Sequence, residues 1–537
     1  MSFSSMYVGA TGVVAHNTSM QVVANNLANV STTGYKKSDA QFGSLMSRQL
    51  GSSGTIYESG AYSFGQIGKG VAVSEIRTVF AEGGLESTNS TTDMAIEGNG
   101  YFGLNNPIDG RQDLYYSRAG SFLFDNDAYL VNAHGYRLQG YQVDRETGEI
   151  ATTISDIQLP YEDVLANGET TRLVRSEPRA TTSFEMVTNL DHTAADLFSD
   201  YDNPFMAMIG AYNANLSNAS TPFGDTLPEY SSSILCYDEA GNGHELTAYF
   251  DPVAAWTLSN ATPGYSYWEY IIAVPPESDA SAAYGTSGAG LVGSGVMVFD
   301  GQGQFVDQMA FSLDAVTASG GATPGAWTAA SFDENGLPQF AVTLGSNGGA
   351  IGQQQLVSYD FGLSSMSGTW VGGTSNAGAI GSNVNNLAGM GNLERDARIT
   401  TSYDNPSATL YHIQDGYTSG YLQSVTVDRE GFLNGHFTNS QTEALYQVAV
   451  YNFNSQWGLR RTGNTDFVAT EASGAAIAGV ANDGGRGTIA QNTLEQSNVD
   501  MAEEFAKMIL TQRGYQANTK VITTSDTLLN TLISIKR

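Results

Sequence analysis

The chain has one cysteine, Cys236, in 537 residues. A lone cysteine excludes an intramolecular disulfide framework and any multi-cysteine metal site. Flanked by Leu235 and Tyr237 in a strand-like run, it reads as a small core hydrophobe. Charge is scarce: 14% of residues are Asp, Glu, Lys or Arg, where globular chains have about 25%. What charge there is leans one way, 54 Asp+Glu against 23 Lys+Arg, a formal −31. That excess argues against nucleic acid or an anionic membrane as partner. Lysine is missing altogether between Lys69 and Lys507. No apolar run reaches the roughly 18 residues that span a bilayer, so no membrane insertion is expected. The first basic residue is Lys36, so the N-terminus lacks the basic region of a cleaved secretory signal.

Catalytic and metal signatures are also lacking. Gly98-x-Gly100-x-x-Gly103 fits the dinucleotide fingerprint literally, but Leu104-Asn105-Asn106-Pro107 follows instead of a helix, so a tight β-turn is the expectation. His244-Glu245 has Ala248 where a zinc protease needs its second histidine. Asp125-Asn126-Asp127 lacks the later glycine and glutamate of a calcium loop and reads as a hairpin turn. There is no G-x-S-x-G elbow and no phosphate-binding Walker sequence. Nothing here argues for an enzyme, a cofactor or a metal.

What the chain does have is a heptad stripe at each end. In the last forty residues Met501, Met508, Tyr515, Ile522 and Leu529 recur every seven, joined by Phe505 and Ile533. That is the repeat of a helix packed along a partner helix. Ser497 or Asn498 offers an N-cap oxygen, acidic residues fill the first turns and Lys536-Arg537 close the end, as the helix dipole favours. Uninterrupted, such a helix is about 58 Å long. Near the start, Met6, Val13, Met20 and Leu27 also recur every seven, with Val23 and Val30 beside them and Gly34 as the expected stop. From Ser2 to Ser31 this helix has no charged residue, and Gly9 and Gly12 allow close approach. A solvated helix face normally carries charge, so contact with protein on several sides is expected. The two helices most simply pair, making all between them an excursion from a helical stem.

That excursion has the texture of antiparallel β-structure. Ile67 to Phe80 alternates as a strand, and hairpins are expected around Asp125–Asp127, Asn132–Gly135, Asp238–Gly243, Asp300–Gly303 and Asp428–Gly431. Small-residue passages at 281–295, 317–330 and 367–391 read as long surface loops. The fold class expected is multidomain: terminal α-helices paired as a coiled-coil stem, with nested, mainly antiparallel β domains inserted between them.

The stretch Ala24-Asn25-Asn26-Leu27-Ala28-Asn29-Val30-Ser31-Thr32-Thr33-Gly34-Tyr35-Lys36-Lys37 resembles the N-terminal signature of the bacterial flagellar rod and hook proteins. Ser497-Asn498-Val499-Asp500-Met501-Ala502-Glu503-Glu504-Phe505, with Gln512-Arg513-Gly514-Tyr515, is similar to that family's C-terminal signature. Two internal stretches fit as well, one holding Gly98 and Gly100 and the other Arg118 and Gly120. The resemblance covers about 1–145 and 415–537, and the long insertion between resembles the hook members. It implies a self-assembling subunit of a curved, flexible tube around an export channel, transmitting torque from rod to filament. It also implies export without a cleaved signal, assembly under a cap, and rod, hook-cap and hook–filament junction proteins as partners. The organisation expected is a stem helix (1–34), a connector (35–75), an inner β domain in two parts (76–160 and 411–470), an inserted outer β region of one or two domains (161–410), a second connector (471–496) and the closing stem helix (497–537). A rod protein is the rival within the family. Outside it, the rival is a secreted β-rich adhesin or glycan-binding protein, with Trp256, Trp268, Trp327 and Trp370 free to stack on sugars.

Overall fold

A computed structural model describes residues 3–535 except 47, 50–54, 57–61, 64–65, 108–112, 146, 167–168, 201, 217–221, 282, 314–322 and 346–353. The expected roles of Ser2, Lys536, Arg537 and 317–322 fall outside those residues. The fold is mostly β with one long helix at each end, and its contacts divide it into two units, Met1–Arg175 with Tyr421–Arg537 and Ser176–Gly420.

The first unit closes the chain on itself. Strand Arg137–Val143 pairs antiparallel with Thr442–Val448 through Gly140↔Val448, joining segments some 300 residues apart in sequence. The same pattern joins Met94–Glu97 to Thr488–Gln491 and Leu85–Ser87 to Thr493–Glu495. Phe102, Leu104, Leu138, Leu433, Val448 and Val450 fill the core beneath these strands, each fully buried. The chain ends are thereby fixed side by side, where both terminal helices begin or finish.

In the second unit, Tyr230–Tyr237, Gly243–Val253, Ser266–Ala273, Leu291–Phe299, Phe305–Leu313 and Trp327–Ala329 form an antiparallel meander in chain order. One face packs Trp268, Tyr270 and Met297 against Phe184, Phe340 and Tyr359 of a second sheet. The other face packs Tyr267, Ile271 and Met309 under Phe205, Met208 and Ile380. Covering both faces explains why strands here read as near-continuous apolar runs.

Three expectations need correction at this point. The passage 281–295 ends in the buried strand beginning at Leu291, 324–329 holds a turn and a strand around the fully buried Trp327, and 367–391 lays Ala377, Ile380 and Met390 on the core. Some of their small residues serve packing, as where a Cβ on Gly293 would stand 2.4 Å from the Phe340 ring, while much of 367–379 is exposed as expected. Cys236 is buried, and burial pushes its thiol up to about 12, so it stays protonated and inert. Trp268 and Trp327 are core, and Trp370 packs on Phe332 and donates its indole N–H to the Ala330 carbonyl at 2.7 Å; of the four tryptophans, Trp256 alone is exposed.

Candidate assembly surface

Two residues of the signature stretches, Lys36 and Arg118, meet in one buried junction below the helices. Lys36 and Arg118 both face the carboxylate of Glu495, Arg118 Nη1 at 3.4 Å, and all three side chains are buried. Most of the groups left over are satisfied locally, Arg118 Nε excepted. Lys36 Nζ donates to the Ala81 carbonyl at 2.9 Å, Arg118 donates to the carbonyls of Ile96 at 3.0 Å and Gly98 at 2.6 Å, and Gly83 N donates to Glu495 Oε1 at 2.9 Å. Burial lowers the Lys36 ammonium against the pull of Glu495. Such a charge cluster holds only while every partner is present.

Asparagines tie the helix ends to this junction. Asn26, buried, donates to the Ser38 carbonyl at 2.7 Å and to Glu504 Oε2 at 3.0 Å, and accepts from Ser38 N at 2.9 Å. Asn498 accepts from Lys37 N at 2.7 Å and donates to the carbonyls of Val79 and Ala81. That engagement overturns the expected N-cap. The C-terminal helix, Met501–Ile535, is capped by Asp500, whose Oδ1 accepts from Ala502 N at 2.8 Å and Glu503 N at 3.1 Å. Gly34 likewise does not stop the N-terminal helix, which ends at Ala28. Gly34 adopts φ +68°, donates to the Glu495 carbonyl at 2.7 Å and leaves no room for a Cβ, which would stand 2.6 Å from Ala119 N. Gly98 and Gly100 sit in the bend between Met94–Glu97 and Tyr101–Asn106, as the tight-turn reading expects, and Gly120 lies against the Met94 carbonyl.

Above the junction the helices run antiparallel. Ser5 Oγ lies 3.3 Å from Ser525 Oγ, Gly9 abuts Ile522, Gly12 abuts Asn518, and the His16 ring seats on Gly514. A Cβ on Gly12 would stand 2.4 Å from Asn518 Oδ1, and one on Gly514 2.6 Å from His16. This seam is built of small and polar residues. On the C-terminal helix Glu504, Thr511 and Ser525 are the buried positions, with Asn518 continuing the same spacing of seven. They sit three residues on from the apolar stripe.

The stripe itself is largely open. Met501, Phe505, Tyr515 and Ile533 are exposed, while Met508, Ile522 and Leu529 are half-buried. Ile509, Leu510, Val521, Leu528, Leu532 and Ile535 add to the exposed apolar surface. On the N-terminal helix Val23 is buried, and Met6, Val13, Met20, Leu27 and Val30 are half-buried. Asn25, Ala28, Gln512 and Arg513 face outward. Sequence reasoning missed Glu495 altogether, and missed Glu504, Thr511 and Ser525 as seam positions. The seven-residue spacing of 504, 511, 518 and 525 was legible, but polar residues give no periodic hydrophobic signal.

Four family descriptions match the chain in order. "Flagella basal body rod protein" matches residues 6–36 and "Flagellar hook protein FlgE/F/G D1 domain" 95–170. "Flagellar basal body protein FlaE D2 domain" matches 211–417, and "Flagellar basal body rod FlgEFG protein C-terminal" 490–535. The flagellar hook protein FlgE of Borreliella burgdorferi is 30% identical, covering 99% of each chain, and that of Treponema pallidum is 29% identical, also over 99% of each. The solved structure of Helicobacter pylori flagellar hook protein FlgE2 aligns over 76% of this chain and 100% of its own, at 14% identity and TM-score 0.44.

Proposed function

The chain belongs to the flagellar hook protein family, structural proteins of the bacterial flagellum and not enzymes, and from that premise we propose that its terminal helices are the surface through which copies join into a tube. Self-polymerisation and association with other flagellar components come with the family; the rod and adhesin alternatives fall away. The observation that carries the proposal is the contrast between a polar seam inside the chain and an apolar stripe left open on the same helix. Ordinary monomers seldom leave so long an apolar stripe in water, and each such Leu, Ile, Met or Phe buried by a neighbour contributes roughly 1.5–3 kcal/mol.

The finer picture follows from the family resemblance. The helix pair forms a coiled-coil stem, and Ser176–Gly420, expected as 161–410, is the inserted β region. The tube is curved and flexible, encloses the export channel and passes torque from rod to filament, with the rod, cap and hook–filament junction proteins at its ends. The subunit leaves the cell through the flagellar export apparatus without losing its N-terminus. Deleting residues 1–30 tests the assembly surface: the expected result is loss of tubes in electron micrographs while the β units keep their unfolding transitions. Tubes of normal yield from the shortened chain defeat the proposal.

A further inference from the structure

The N-terminal helix has a second face, turned away from its partner helix. Tyr7, Thr11, Val14 and Thr18 recur there at helical spacing and face Val71 of the strand pair Ser38–Ser44/Val71–Thr78, and Leu45 just past it, across a groove of about 460 Å³. Beside the groove, Val71 N donates to Thr11 Oγ1 at 3.3 Å and Gly70 abuts the same hydroxyl; elsewhere the hairpin is held to the helix by Asn26 on Ser38 and by His16 against Phe42. Above it Tyr7 and Val14 stand exposed, at 59% and 66%. The groove is apolar with a threonine lip and holds no charged residue.

Its own C-terminal helix cannot fill it. That helix contacts Ser5, Gly9, Gly12, His16 and Asn26. Tyr7, Val14 and Thr18 fall about half a turn away, on the other side of the cylinder. The C-terminal helix nevertheless carries a fitting counterpart. Its exposed side bears Glu503, Arg513 and Lys520 in the first twenty residues, but past Val521 it bears Leu528, Leu532, Ile533 and Ile535 with Asp526 as the sole charge among the described residues. With Ser5 beside Ser525 in an antiparallel pair, Leu528 to Ile535 run past Phe3, the first described residue of the N-terminal helix.

We infer that the groove between the N-terminal helix and the hairpin receives the distal part of the C-terminal helix, residues 528–535, of a second copy. Groove and tip are two different surfaces of one chain. The contact is therefore head-to-tail, and a head-to-tail contact repeated from copy to copy builds an open helical polymer, not a closed dimer. This rests on the assembly reading above and names its contact.

Charge reversal across the contact tests it. Val14→Lys alone and Leu532→Glu alone are each expected to cut tube yield, measured by sedimentation, about tenfold or more, since one buried Leu is worth that much. The double variant, which pairs the two charges, is expected to recover most of the yield. As a second measurement, tubes of Val14→Cys/Leu532→Cys under oxidation should give a ladder of dimers, trimers and longer chains, while Val14→Cys/Phe505→Cys gives none; Cys236 is buried and stays silent. Normal yield from either single charge variant, or tubes of the cysteine pair that show no ladder beyond the control, overturns the inference. If the unaltered chain forms no tubes at all, it is the assembly reading itself that fails.

Discussion

At the scale of single residues, one turn design recurs through both units. Asp300 Oδ1 accepts from the N–H of Gln302 and Gln304, each at 2.9 Å, and Gly303 takes φ +77°. Asp333 with Gly336, Asp428 with Gly431, Asp238 with Gly241 and Asn132 with Gly135 repeat the arrangement. At Asp125 the fourth position is Ala128, held at φ +59°. An L-residue there is strained, so Ala128→Gly is expected to raise the stability of its unit by about 1 kcal/mol, read from the thermal midpoint. In the buried junction, Glu495→Gln leaves Lys36 and Arg118 without their counter-charge. A loss of about 3–5 kcal/mol is expected, visible as a lower denaturant midpoint for the unit that holds both chain ends.

Carboxylates buried without a cation give the inserted unit its own pH response. Asp251 and Glu269 face each other across adjacent strands, both buried, accepting backbone N–H groups of Leu197, Glu229 and Met208. Burial pushes the Asp251 carboxyl up to about 7 and raises Glu269 as well, with Asp196 adding repulsion to both. In the unfolded chain such groups titrate near 4. The folded state thus keeps protons that the unfolded state has released. The resulting stability is full below about pH 4 and is lost as pH rises through about 7. The urea midpoint reported by Trp268 and Trp327 fluorescence should fall between about pH 5 and pH 8, and Asp251→Asn should flatten that slope. Glu503 has the opposite sign: hydrogen bonds from Lys37 and Lys507 hold it down at about 2, so its contribution is present at neutral pH and is lost only in acid.

At the scale of elements, the two terminal helices illustrate what a heptad reading delivers. The stripe of Met501, Met508, Tyr515, Ile522 and Leu529 located the helix, and Gly9 and Gly12 marked close approach. The in-chain seam nevertheless lies three residues further round, where small and polar side chains let the backbones come near. Gly12→Leu forces a branched side chain into Asn518. Cysteines at positions 5 and 525, whose native hydroxyls lie 3.3 Å apart, should cross-link readily in the parent and poorly in the Gly12→Leu background. Equal cross-linking in both shows that the glycines are not what brings the helices together.

At the scale of the whole molecule, charge is unevenly divided. Residues 176–420 hold 25 Asp and Glu against 3 Arg, a net −22, which leaves −9 of the chain's −31 for the rest. Arg179 and Arg398 are tied to Asp415 and Glu185 of the same unit, so neither is free to neutralise another copy. Copies packed in a polymer bring these like-charged units together. Their repulsion reaches about 30 Å at 0.01 M salt but about 8 Å at 0.15 M. Tube yield by sedimentation is therefore expected to rise steeply over that range, and flat yield sets the electrostatic account aside.

Periodicity and local chemistry were enough to place both terminal helices and the hairpin turns, and four signature stretches carried the resemblance to the family, because these depend on residues close together in sequence. Helix spacing, a capping oxygen or an Asp-x-x-Gly turn acts over four to seven residues. The chain by itself did not reveal that Lys36, Arg118 and Glu495 share one buried charge cluster, that Asn498 is drawn off to Lys37 so that Asp500 caps the helix, or that the glycine-rich passages pack on a core. Each of those depends on contacts between segments distant in sequence, from Gly293 on Phe340 to Lys37 with Asn498. Long-range contacts set them, strand pairing and the helix seam together, and with them which face of each terminal helix is left open to another copy.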